Sequence, residues 1–184
     1  MLSIKNNTII NTIRKSKFIT HTFRVFNEEE AIDVINEIKN KYKDATHNCY
    51  AYIIDNIKRY NDDGEPNGTA GLPILSVLEK NNLNYVLVIV TRYFGGIKLG
   101  SNGLIRAYSN STKDALIIKE LVKGKNIDIT FDYKDESYIN NIIKKEDIIE
   151  SSYLEQIKYN CNIKDEDLDK LNNYEYTIIK DVFF

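Results

Sequence analysis

Seven of the chain's eight glycines and both of its prolines fall between Gly64 and Gly103, in a chain of 184 residues. Glycine allows positive φ and close backbone approach at a cost in chain entropy, so this concentration specifies a shaped loop region rather than general flexibility. The eighth, Gly124, stands alone in Lys123-Gly124-Lys125-Asn126. It reads as a helix stop and so as a domain boundary, with domains at 1–123 and 125–184. Charge divides at the same place. Residues 1–124 carry 17 Lys and Arg against 13 Asp and Glu, net +4, and residues 125–184 carry 8 against 14, net −6. All five arginines lie in the first part. An anion-binding surface is therefore expected there, and the C-terminal part should repel phosphates. Compositional drift accounts for the bare charge difference equally well.

The composition, 42% hydrophobic and 28% charged, is that of a globular chain and excludes disordered and collagenous classes. A net charge of −2 excludes a strongly basic nucleic-acid binder as a whole. Cys49 and Cys161 lie too far apart for a disulfide framework or a four-ligand zinc site to be read from them. The first residues are charged at Lys5, Arg14, Lys15 and Lys17 without an apolar core segment, so no secretory signal is expected. The longest apolar run ends at Val90 and is too short to span a bilayer. These features predict a reduced, cytoplasmic protein without membrane contact.

Periodicity predicts strands over 8–13 and 18–26 with a basic turn between them. Asn27 and Glu30 form a capping box for a helix striped by Ala31, Ile35, Ile38 and Tyr42. A strand over 48–54, polar turn material over 59–66 and a helix over 69–80 follow, with Pro73 tolerated only in its first turn. Residues 85–90 read as a strand buried on both faces. A helix over 102–121 carries the stripe Leu104, Tyr108, Ser111, Ala115, Ile118 and Val122. The remainder reads β-α-β-β-α-β, a ferredoxin-like order. The expected class is α+β, with two two-layer α/β-sandwich domains.

The strongest local feature is Thr91-Arg92-Tyr93-Phe94-Gly95-Gly96-Ile97-Lys98-Leu99-Gly100-Ser101-Asn102-Gly103-Leu104-Ile105-Arg106, a strand, a glycine turn and a helix start. Free backbone N–H groups and the helix dipole make such a place receptive to anions, and Arg92, Lys98 and Arg106 flank it. Ser101-Asn102 stands where a P-loop needs Lys-Ser/Thr, so a Walker site is rejected. A purely structural use of these glycines, packing strand against helix, is the bland reading. Asp62, Asp63 and Glu65, in Asp62-Asp63-Gly64-Glu65-Pro66, could hold Mg²⁺ or act in acid–base chemistry, or form a structured turn. His47 and Cys49 share a strand face and could pair as base and nucleophile, or be core filler. His21 and Cys161 belong to no motif. Arg14-Lys15-Ser16-Lys17 is a solvated hairpin tip that gains interest only if it folds beside Lys98.

Four ordered blocks carry a resemblance. They are Arg14-Lys15-Ser16-Lys17-Phe18, Ala45-Thr46-His47-Asn48-Cys49-Tyr50-Ala51, Asp62 to Gly71, and Arg92 to Tyr108. Together they resemble the YigZ/IMPACT family. The resemblance implies a first domain like the second domain of small-subunit ribosomal protein five. It also implies a second, ferredoxin-like domain similar to the C-terminal module of elongation factor G. Eukaryotic members of the family regulate translation, partly through an N-terminal RWD domain that has no counterpart in this sequence, so that regulatory partner is not carried over. Ser101-Asn102 departs from the family's usual small residues and reduces backbone freedom at the turn.

Two function classes follow. The preferred one is a binding module linked to regulation of translation. In it, Arg92, Lys98 and Arg106, with Arg14 and Lys17, contact RNA or ribosome phosphates around the backbone of Gly95, Gly96, Gly100 and Gly103. The acidic C-terminal domain meets a protein partner, and no cofactor is required. The alternative is a Mg²⁺-dependent enzyme acting on a phosphorylated or nucleotide substrate, with Asp62, Asp63, Glu65 or His47 as its working residues. No activated nucleophile or complete ligand set is visible, so the non-enzymatic reading is preferred.

Overall fold

The computed structural model describes residues 1–183. It divides into two compact units, Met1–Glu120 and a second that begins at Leu121. The first unit contains β1 (Leu2–Ile4), β2 (Asn7–Ile13), β3 (Ser16–Arg24), α1 (Glu28–Lys41), β4 (His47–Ile54), β5 (Ile57–Asn61), α2 (Gly71–Lys80), β6 (Val86–Tyr93), α3 (Ser101–Ala115) and β7 (Ile118–Glu120). Five strands form an antiparallel sheet in the order β2-β3-β6-β4-β5, and β1 pairs with β7 in a separate two-stranded ribbon.

Alternation along the central strands sends Phe18, Cys49, Ala51, Ile53, Val86, Val88 and Val90 to one face. There they form a core with Ile74 and Leu78 of α2 and with Leu104, Ala107 and Tyr108 of α3. The opposite face carries Tyr52, Leu87 and Ile89, and α1 adds cover on it, with the Tyr52 hydroxyl donating to Glu28 at 2.6 Å. Burial on both faces explains why residues 86–90 read as an uninterrupted apolar run. The capping box at α1 forms: Asn27 Oδ1 accepts the Glu30 N–H at 2.8 Å, and Glu30 Oε2 accepts the Phe26 N–H at 2.7 Å. Pro73 lies in the first turn of α2.

Three local expectations differ. The helix predicted to run to 121 stops at Ala115, because residues 118–120 pair with Leu2–Ile4 instead. Ile118 and Val122 are therefore not part of its stripe. Residues 59–61, expected as turn, belong to edge strand β5 (Ile57–Asn61), where one partner suffices and charged side chains face water. Gly124 is no helix stop. It is buried within β8 (Lys123–Phe131), opposite Lys164 and Val182.

After β8 the second unit contains α4 (Glu136–Ile142), β9 (Ile148–Tyr153), β10 (Ile157–Lys164), a 3₁₀ stretch at Asp165–Leu171 and β11 (Glu175–Phe183). Its antiparallel sheet runs β11-β8-β10-β9, the ferredoxin-like order. Ile127, Ile129, Phe131, Ile157 and Tyr159 pack with Ile139, Ile143 and Leu171. The segment is 3₁₀ in place of the expected α-helix, a geometry that eclipses i and i+3 and so suits the Asp167–Lys170 ion pair. The α+β class holds in both units.

Candidate functional site

Arg92 shares its face of β6 with Val86, Val88 and Val90, so alternation drives its guanidinium into the interior. It is 5% exposed. A buried charge requires a partner. Arg92 Nη1 lies 2.6 Å from Glu65 Oε1, Nη2 donates to Ser16 Oγ at 3.3 Å, and the guanidinium carbon lies 5.5 Å from the Phe18 ring and 5.6 Å from the Phe94 ring. The Tyr108 hydroxyl donates to the same Glu65 oxygen at 2.8 Å. The expectation that Arg92 offers its charge to a phosphate is thus corrected: Glu65 neutralises it inside the protein.

The acidic turn is similarly occupied. Asp62 Oδ1 accepts from the N–H groups of Ala70 and Gly71 at 3.0 and 2.8 Å, and its Oδ2 accepts from Gly68 at 2.9 Å. This carboxylate therefore caps α2, whose own N-cap residue, Ala70, has no side chain able to do so. Asp63 pairs with Lys39 Nζ at 2.7 Å and accepts the Asn48 N–H at 2.7 Å. The oxygens expected to hold Mg²⁺ are thus spent on the fold. Among the described residues, no three or more His, Cys, Asp or Glu side chains gather as metal ligands would.

The His47 Nδ1–H donates to the Asp63 carbonyl at 2.8 Å, and its Nε2 faces Glu65 Oε2 at 3.8 Å. Cys49 donates to the Asp62 carbonyl at 3.0 Å and lies 3.4 Å from the Tyr108 hydroxyl. Burial, reinforced by the nearby Glu65, Asp63 and Asp62 carboxylates, pushes its thiol well above the ordinary range. A neutral thiol sealed in the core does not serve as a nucleophile, which removes the Cys–His reading.

The basic hairpin tip does meet the glycine loop. A Cβ on Gly95 would lie 2.0 Å from the Lys15 carbonyl carbon and 2.5 Å from the Ser16 nitrogen, so only glycine permits this backbone contact. The Gly95 N–H donates to Ser16 Oγ at 3.2 Å and the Phe94 N–H to Thr46 Oγ1 at 2.9 Å. Gly95→Ala is expected to lower the unfolding free energy by about 1–3 kcal/mol, readable as a lower urea midpoint, because the overlap falls on backbone.

Arg14 and Lys15 form the β2–β3 turn at φ of 46° and 66°, a left-handed pair that Asn-Gly adopts far more easily. Beside them lies an open groove of about 340 Å³, lined by Ile13, Arg14, Leu99, Gly103, Arg106, Ala107 and Asn110. Lys98, Arg14, Lys17 and Arg106 are exposed, and among the described residues no ion pair engages them. Gly100, at φ 71°, precedes α3 without a side-chain cap. Of the expected cations, then, Arg14 and Arg106 converge on one groove, Lys98 sits next to its wall residue Leu99, Lys17 lies over the Tyr93 ring at 5.8 Å, and Arg92 is withdrawn. Sequence reasoning did not single out Ser16, Thr46 or Asn110 as part of this region. Tyr108 reads in the sequence as a member of a helical stripe and the end of a family block, with no role in pairing Glu65.

No helix among the described residues is long and apolar enough to cross a membrane. The Impact N-terminal domain family model matches residues 14–116, which includes both the hairpin tip and α3. IMPACT family member YvyE of Bacillus subtilis is 45% identical over 156 residues, covering 83% of this chain and 71% of that protein. IMPACT family member YigZ of Escherichia coli is 36% identical over 114 residues, covering 59% of this chain and 56% of that protein. A crystal structure described as that of a hypothetical protein aligns over 97% of both chains, with a TM-score of 0.62 and 26% identity. A chain matched by this domain over more than half its length, and by such a relative over most of it, belongs to the IMPACT family.

Proposed function

We propose that this chain is a nucleic-acid- or ribosome-binding module linked to the regulation of translation. It contacts phosphates from the first unit through Arg14, Lys17, Lys98 and Arg106. The observation that carries this reading is the backbone contact of Gly95 with Lys15 and Ser16, which joins the basic hairpin tip to the glycine loop. Among the described residues no carboxylate pairs with the cations around the groove, so their charge remains available to an anion. Family membership supports the link to translation. The acidic second unit is the surface for a protein partner, and the setting is the cytoplasm.

Ribosome co-sedimentation and RNA binding across a salt series test this reading. Lys98→Ala and Arg106→Ala should each weaken association and reduce the salt slope by about one contact. Association unchanged in both variants would contradict it.

A further inference from the structure

Resting on that reading and deepening it, we propose that the groove between the β2–β3 turn and α3 seats an unpaired nucleotide, so that the phosphate-bearing partner is single-stranded RNA. The groove's 340 Å³ falls at the small end of ligand sites, which run from about 300 to 1,000 Å³. Its lining is of two kinds. Ile13 and Leu99 are half-buried and Ala107 is buried, and together they make an apolar floor. Arg14, Arg106 and Asn110 are exposed and form a polar rim.

A duplex keeps its bases stacked and presents phosphates and 2′-hydroxyls, for which an apolar floor has no use. An unpaired base has a flat apolar face and a hydrogen-bonding edge. The floor takes the face, and the Asn110 carboxamide, both donor and acceptor, meets the edge. The two guanidiniums take the flanking phosphates, each able to bind two oxygens at once.

A second platform lies on the same loop. Phe94 is 46% exposed, its backbone is held by Thr46, and its ring rests near the ion-paired Arg92. A ring fixed in this way suits stacking by a further base, a contact that tolerates any sequence. The strained turn supports the same conclusion. Two long cationic side chains occupy positions where the backbone favours Asn-Gly, and such strain concentrates where a side chain has work to do.

Fluorescence anisotropy of the full chain with a labelled oligouridylate and with an RNA duplex of equal length tests the proposal. The single strand should bind more tightly. Asn110→Leu fills the groove without altering charge and should weaken single-strand binding about tenfold while leaving duplex binding and the salt slope unchanged. Phe94→Ala should act in the same sense. Arg106→Ala should weaken both RNAs. Asn110 and Phe94 are exposed, and unchanged urea midpoints would confirm that their variants fold. If Asn110→Leu and Phe94→Ala leave single-strand affinity intact while Arg106→Ala weakens both RNAs, the nucleotide seat is wrong and the phosphate-binding reading stands. Equal binding of single strand and duplex by the unaltered chain also overturns the seat. Binding of neither RNA overturns the seat, and ribosome co-sedimentation then decides the phosphate-binding reading on its own.

Discussion

Arg92→Ala is expected to lower the unfolding free energy of the first unit by about 3–5 kcal/mol, the usual cost of breaking a buried ion pair by removing one member. Glu65, 8% exposed, would lose its guanidinium partner and keep the Tyr108 hydroxyl, which donates to the oxygen that Arg92 now neutralises. The loss should be largest when only one charge is removed. The double variant Arg92→Met/Glu65→Leu should recover much of it, because both desolvation costs disappear together. Urea unfolding of the three proteins provides the comparison. A single-variant loss under about 1 kcal/mol would mean that the pair behaves like a solvated surface bridge. The same pair joins the acidic turn to the end of β6, so Arg92→Ala should also loosen the glycine loop.

The second large effect concerns pH. His21 is 3% exposed, with Nδ1 3.0 Å from Thr8 Oγ1, its ring 5.2 Å from that of Tyr42, and its buried Nε2 without a hydrogen-bond partner among the described residues. Burial, aided by the positive charge of Lys41, lowers its pKa from 6.5 to about 4. In the unfolded chain the ring takes up a proton near pH 6.5, whereas in the folded protein it stays neutral until about pH 4. The stability this group contributes is therefore fully present above pH 6.5 and is lost as pH falls toward 4, by about 3 kcal/mol in all. His21→Gln removes the titration. Unfolding free energies at neutral pH and near pH 4 should show a smaller acid-induced loss in the variant than in the unaltered chain. Equal losses would show that His21 is protonated in the folded state.

Local signals in the sequence were readable where the physics is local. The Asn27–Glu30 box, the first-turn Pro73 and the strand around Val88 each depend on neighbours a few residues away. Arg92 illustrates the limit. Beside a glycine loop it reads as a ligand-binding cation, yet its alternation with Val88 and Val90 turns it inward. Because both faces of β6 are apolar, the pattern does not reveal which face a charge will take. Its partner Glu65 lies 27 residues away, a separation at which pairing is a property of the folded sheet. The Asp62 cap on α2 is hidden for the same reason, since an N-cap is normally sought at the helix start itself. The end of α3 is not legible because Ile118 and Val122 continue its apolar stripe, and only the presence of Leu2–Ile4 alongside draws residues 118–120 into a strand. At the groove, the contact between Lys15 and Gly95 was foreseeable only as a condition, because nothing in the chain order places a hairpin tip against a loop eighty residues on.

The ribbon of Leu2–Ile4 with Ile118–Glu120 sets Ser3 opposite Lys119. The first unit therefore has its entrance and its exit side by side. A segment with that geometry can be spliced into a surface loop of another protein, or reopened elsewhere after its two ends are joined, without stretching the sheet that carries the groove. The ribbon acts as a seam, and the order of the chain around it is open to rearrangement by evolution or by the engineer.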